Sequence, residues 1–143
     1  MNFTLKLEPM AAPRPRASVR HGRVRSYMPK KYTEWKKAAV AQLHQQHQGM
    51  EKIDQVVHIK IDFICKRPKS LMRKKDPAGL IPKGTLPDID NLAKSVLDAL
   101  QDAQIIQNDS LVASLTIAKY YAALKADRTQ EDPIIIIIIK DIE

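Results

Sequence analysis

Six consecutive isoleucines, Ile134 to Ile139, follow Pro133 near the end of this 143-residue chain, and they constrain its fold more than any other feature. β-Branched side chains lose rotamer freedom in a helix and pack well on a pleated surface, so the run predicts a strand. It is too short to cross a bilayer, which as a helix takes about 20 apolar residues. Because it does not alternate with polar residues, it is expected to be buried on both faces. Unpaired, such a segment would be an aggregation hazard.

The remaining periodicities supply its neighbours. Residues 2–7 alternate, with Phe3, Leu5 and Leu7 on one side, and stop at Pro9, which predicts a first strand. Residues 32–47 lack glycine and proline and carry Trp35, Ala38, Ala39 and Leu43 at near-helical spacing before Gly49, predicting a helix with Trp35 in the core. Residues 56–65 alternate as a half-buried strand whose register turns His58 toward solvent. Residues 91–103 set Leu92, Val96, Ala99, Leu100 and Ala103 on one helical face, and residues 110–122 alternate as a long strand. Strand, helix, strand, helix, strand, strand predicts the α/β (α+β) class: a mixed β-sheet with two main helices packed on it. A chain of 143 residues suits a single domain over 1–143.

Two stretches do not fit this scheme. Residues 13–31 hold Arg14, Arg16, Arg20, Arg23, Arg25, Lys30 and Lys31 among prolines and read as a basic, partly extended arm. Residues 66–87 hold Lys66, Arg67, Lys69, Arg73, Lys74, Lys75 and Lys83 with prolines and glycines and read as a long basic loop, a length associated with function or disorder. The 24 lysines and arginines against 16 acids give a charge of +8 and imply a polyanionic partner. Charge alone does not separate nucleic acid from a membrane surface. No apolar span of 18 residues and no secretory signal is present, and the lone Cys65 sits in an apolar strand. The expectation is a cytoplasmic protein without disulfides, membrane partner or reactive thiol.

Against this basic background stands Pro87-Asp88-Ile89-Asp90-Asn91-Leu92-Ala93-Lys94, with Asn108-Asp109 further on. If the approach to the helix is extended, Asp88 and Asp90 leave the chain on one side, roughly 6.5 Å apart. A hard divalent cation, which takes oxygen ligands and retains waters, could bridge them. Lys94 follows Asp90 by one helical turn and could meet a phosphate or a developing oxyanion. The plainer reading is that one aspartate caps the helix and Lys94 forms a surface ion pair. Capping needs only one aspartate, however, and the second repels it unless a cation intervenes. An EF-hand starting at Asp88 would need glycine and glutamate where Ala93 and Ala99 stand. An aspartyl-nucleophile phosphatase would need a buried strand where Lys83-Gly84-Thr85-Leu86-Pro87 stands. His21, His44, His47 and His58 lack a zinc spacing.

The run from Pro87 through Ser95-Val96-Leu97-Asp98-Ala99-Leu100, with Asp109 after a short apolar turn, closely resembles the RusA family of Holliday junction resolvases. The likeness is densest from Pro87 to Val112 and extends to Pro13-Arg14-Pro15-Arg16 and the Tyr32 to Trp35 segment. It implies a Mg2+- or Mn2+-dependent endonuclease, acting as a homodimer that nicks two opposed strands of four-way junction DNA in recombination and repair. Carried over by position, the metal-binding catalytic aspartates are Asp88, Asp90 and Asp109, and the essential lysine is Lys94. Relatives often show an acidic pair at the third position, where this chain has Asn108 before Asp109.

On that reading Arg14, Arg16, Arg20, Arg23 and Arg25 of the arm, and Lys69, Arg73, Lys74 and Lys75 of the loop, contact DNA phosphates. Asp98 is expected to support structure. One rival is a non-catalytic basic DNA-binding recombination-accessory protein, which binds junctions without cutting. Another is a metal-dependent nucleotide hydrolase, which has little use for so much positive surface.

Overall fold

In a computed structural model, which describes residues 1–142 and Arg16 by its backbone alone, the isoleucine run lies inside the sheet. It forms β7 (Ile134–Asp141), antiparallel to β1 (Asn2–Leu5) on one side and to β4 (Val57–Cys65) on the other. β4 pairs in parallel with β6 (Val112–Tyr121), and the short β5 (Ile81–Pro82) pairs with Tyr120 and Tyr121 at the end of β6. The sheet order is β1-β7-β4-β6-β5. β7 is not buried on both faces: Ile135, Ile137 and Ile139 are in the core, while Ile134, Ile136 and Ile138 are only half-buried. Both its neighbours are antiparallel, and such sheets can leave one face to water. On that face Ile136 stands between Thr4 and Asp62, and Ile138 between Asn2 and Lys60.

The covered face takes α1 (Lys30–His47), through Tyr32, Trp35, Ala39 and Leu43, and α2 (Ile89–Asp102), through Leu92, Val96, Ala99 and Leu100. Trp35 is in the core as expected, its indole N–H donating to the Glu8 carbonyl at 2.9 Å. Tyr32, also buried, donates its hydroxyl to Asp98 Oδ2 at 3.4 Å; burial first, and then the Asp98 charge, raise its phenol above the usual range. A 2.9 Å ion pair between Lys36 and Asp102 also joins the helices. Because α2 connects parallel β4 to β6, it is a crossover helix. Its first turn lies where β4 ends and its last where β6 begins.

The arm and the loop are more ordered than composition implied. Within the arm, β2 (Arg16–Arg20) and β3 (Arg23–Tyr27) form a hairpin closed by His21 (φ 53°) and Gly22 (φ 72°). Two successive positive φ values give the turn twist that matches a two-residue hairpin. The loop holds a 3₁₀ turn (Lys69–Leu71) and β5, and it is organised by Arg67, which is only 2% exposed. The Arg67 guanidinium donates to the carbonyls of Ala122 (2.6 Å), Leu71 (3.0 Å) and Gly79 (2.7 Å). One of the loop's basic residues is therefore an internal tie rather than surface charge.

Candidate catalytic site

α2 begins earlier than expected, and this changes the geometry of the aspartates. Asp88 is extended (φ −66°, ψ 143°) at the position just before the helix, whereas Asp90 lies in its first turn. The shared extended spacing holds for Asp88 only. Asp88 makes no side-chain capping bond, so its carboxylate is not used in the plainer way the sequence allowed. Asp90 sits where the helix dipole favours an anion, and Lys94 follows on the same side one turn later. All three are exposed.

The segment leading into Asp88 is held from β6. Lys119 Nζ donates to the carbonyls of Thr85 (2.7 Å) and Pro87 (2.8 Å), spanning Leu86 and its cis peptide bond to Pro87. Lys83 Nζ donates to Thr85 Oγ1 at 2.8 Å and lies 4.5 Å from the centroid of the Tyr121 ring. The hydroxyls of Thr85 and Tyr121 share a 2.8 Å hydrogen bond. That bond, and then the Lys83 ammonium, hold the Tyr121 phenol below its ordinary range. Lys119, Thr85 and Tyr121 carried no signal in the sequence beyond their places in a strand or a loop. Only the fold brings the end of β6 under the aspartate segment.

Asp109 is elsewhere. It opens a 3₁₀ turn (Asp109–Leu111), its backbone N–H donates to Gln101 Oε1 at 3.1 Å, and Asn108 caps the turn by accepting from the Ser110 N–H at 2.8 Å. Gln101 is in the last turn of α2, and at about 1.5 Å per residue the helix advances roughly 16 Å between Asp90 and Gln101. Among the described residues, no three His, Cys, Asp or Glu side chains gather closely enough to hold a metal ion. The structure therefore brings Asp88, Asp90 and Lys94 to one end of α2 and leaves Asp109 at the other.

The basic residues fall into two surfaces. On the hairpin, Arg20, Arg23 and Arg25 share one face with Ser18 and Tyr27, while Val19 pairs with Val24 on the other. Arg14 is exposed, and the side chain of Arg16 lies outside the described residues. On the loop, Lys69, Lys74 and Lys75 are exposed, whereas Arg73 Nε lies 3.4 Å from Asp76 Oδ2. The Arg73 backbone N–H, before its guanidinium, holds the Asp76 carboxyl below the usual range. A cleft of about 540 Å³, lined in part by Lys66, Lys69, Lys83 and Tyr121, adjoins the pinned segment.

The model of the family described as endodeoxyribonuclease RusA matches residues 6–130. The chain is also 33% identical over 147 aligned positions to the uncharacterized protein YqaN of Bacillus subtilis (strain 168), an alignment covering 99% of this chain and 96% of YqaN. Matched from just after β1 to beyond β6, and so across both ends of the crossover helix, the chain belongs to the RusA endodeoxyribonuclease family.

Proposed function

We propose that this RusA-family endodeoxyribonuclease resolves four-way DNA junctions in the cytoplasm during recombination and repair, by metal-dependent paired nicking as a homodimer. The observation that carries the reading is the pair Asp88 and Asp90 at the start of α2, on a segment pinned by Lys119, with Lys94 one turn away. Both carboxylates are exposed, and Asp88 is free of the capping bond its position invites. As hard oxygen donors they suit Mg2+ or Mn2+, which bind through one or two carboxylates, waters and substrate phosphate oxygens. The metal, when bound, supplies an activated water and charge neutralisation at the leaving oxygen. Asp88 and Asp90 would hold it, whereas Asp109, the third acid that the resemblance implies, stands at the other end of α2. Lys94 places positive charge on the scissile phosphate. Arg14, Arg16, Arg20, Arg23 and Arg25, with Lys69, Arg73, Lys74 and Lys75, grip the backbone without reading sequence.

The separation of Asp109 favours the rival reading, a junction-binding accessory protein that does not cut. Cleavage of a labelled four-way junction in Mg2+ or Mn2+ decides between them, with Asp90→Asn and a linear duplex as controls. Paired symmetric nicks lost in Asp90→Asn, with binding retained, support the resolvase. Junction binding without metal-dependent nicks in the unmodified protein supports the accessory role.

A further inference from the structure

We infer that the β2–β3 hairpin is a wedge that enters the open centre of branched DNA, setting Val19 and Val24 against unstacked base faces while its other face takes phosphates. The inference rests on the junction-binding part of the reading above and does not depend on cleavage. Val19 and Val24 stand directly opposite each other, one step back from the Arg20 and Arg23 pair that adjoins the turn. They are 73% and 71% exposed. Every residue from 17 to 27 is exposed, so neither face of the ribbon packs on the sheet or the helices. If the valine face met only water, threonine would form the strand equally well without presenting methyl groups to solvent.

The opposite face identifies the occupant. Arg20 and Arg23 are paired directly across the strands, and Arg25 follows on the same face opposite Ser18. Like charges set directly opposite destabilise a strand pair, and among the described residues none of these three arginines forms an ion pair with a carboxylate. A two-stranded hairpin is marginal alone in water, so a ribbon open on both sides is completed by what it meets: anions against the arginines and apolar surface against the valines. Branched DNA supplies both. Its phosphates line every arm, and where the arms part the last base pairs present faces that no stacked neighbour covers. A linear duplex offers the phosphates but covers the base faces, so the valines find no partner there. Apolar wedges serve other proteins that unstack DNA in the same way. Four steps of about 3.3 Å make the ribbon roughly 13 Å long, more than the depth of about 8.5 Å from the rim of the major groove to the bases. The hairpin therefore distinguishes branching rather than sequence.

The test uses the full chain in EDTA, so that no strand is cut, with the fluorescent base 2-aminopurine at the branch point of a four-way junction, where its emission rises as it loses stacking. Wild type is expected to raise that emission, and to leave unchanged the emission of the same base inside a linear duplex. Val19→Thr with Val24→Thr keeps the β-branched shape of both strands but puts hydroxyls against the bases. It is expected to lose the rise and to bind the junction roughly 10- to 30-fold more weakly, with duplex affinity and the salt slope unchanged. Val19→Ile with Val24→Ile is expected to retain the rise and the affinity. A double threonine variant that matches wild type, or that loses duplex affinity in equal measure, overturns the wedge. If that variant instead lowers the sedimenting mass, or loses binding to phosphatidylglycerol vesicles, with the emission unchanged, the valine face belongs to a second copy or to a lipid surface and the wedge is overturned. Nicking of the same junction in Mg2+ is read separately. An emission rise that depends on the valines, without nicking, leaves the wedge standing while the nuclease reading fails; nicking by wild type without any rise does the reverse.

Discussion

Removing the ammonium of Lys119 separates the positioning of Asp88 from the binding of DNA. Lys119 Nζ donates to two carbonyls on either side of Leu86, at 2.7 and 2.8 Å. Hydrogen bonds from charged donors contribute about 1.5–3 kcal/mol each. Thr85 is exposed and Lys119 and Pro87 only half-buried, so water replaces much of that, and Lys119→Met is expected to lower unfolding free energy by about 1–2 kcal/mol. For a domain of this size that is a fall in Tm of roughly 3–8 °C. The catalytic loss should be larger, because a shift of about 1 Å in a reacting group costs on the order of 100-fold in rate. Urea denaturation, fluorescence anisotropy with junction DNA and single-turnover nicking measure the three quantities separately. The expected pattern is a modest stability loss, junction affinity within about twofold, and a nicking rate down roughly 10- to 100-fold, with Lys119→Arg recovering part of the rate. Nicking within about twofold of wild type, alongside the expected stability loss, would refute the argument that these bonds position Asp88.

Arg67→Ala leaves the carbonyls of Leu71, Gly79 and Ala122 without their donor; urea denaturation should show about 3–4 kcal/mol lost, with Arg67→Lys, which lacks the fork, recovering less than half. Burial pushes the Cys65 thiol up to about 11, so alkylation at pH 8 should be slow until the protein unfolds. The unfolded thiol releases its proton near its ordinary value of about 8.5 while the folded one retains it. The contribution of Cys65 to stability is therefore full below about 8.5 and is lost as pH rises toward about 11, which pH-dependent urea midpoints of wild type and Cys65→Ser will show. Arg20→Gln with Arg23→Gln should weaken binding equally across junction sequences and reduce the slope of log affinity against log salt by about 2, read by anisotropy in a KCl series.

The elements carried by a single strong periodicity were legible from the chain. The α2 stripe of Leu92, Val96, Ala99 and Leu100, the β4 alternation and the core position of Trp35 are all present. What the sequence hid was set by partners distant along the chain. Arg67 has the same composition signal as Lys69 or Arg73, and only the return of Ala122 and Gly79 around it makes it internal. The isoleucine run looks the same whether one face or both are covered, because uniform hydrophobicity carries no phase; antiparallel neighbours and helices on one side decided it. The hairpin offered a local signal in His21-Gly22 between valine-bearing strands, but the density of arginine around it read as an arm.

The aspartates show why spacing is weaker evidence for a three-residue site than for a two-residue one. Asp88, Asp90 and Lys94 are close in sequence, and a helix start keeps them close in space. Asp109 is separated from them by the descending helix of a crossover, and the geometry of a crossover delivers the chain to the opposite end of the sheet before the next parallel strand begins. No choice of loop between Asp102 and Asp109 short of that turn brings Asp109 back along α2, since Gln101 fixes its backbone at the far end. A motif that reads as one cluster in the sequence is thus two half-clusters in the fold.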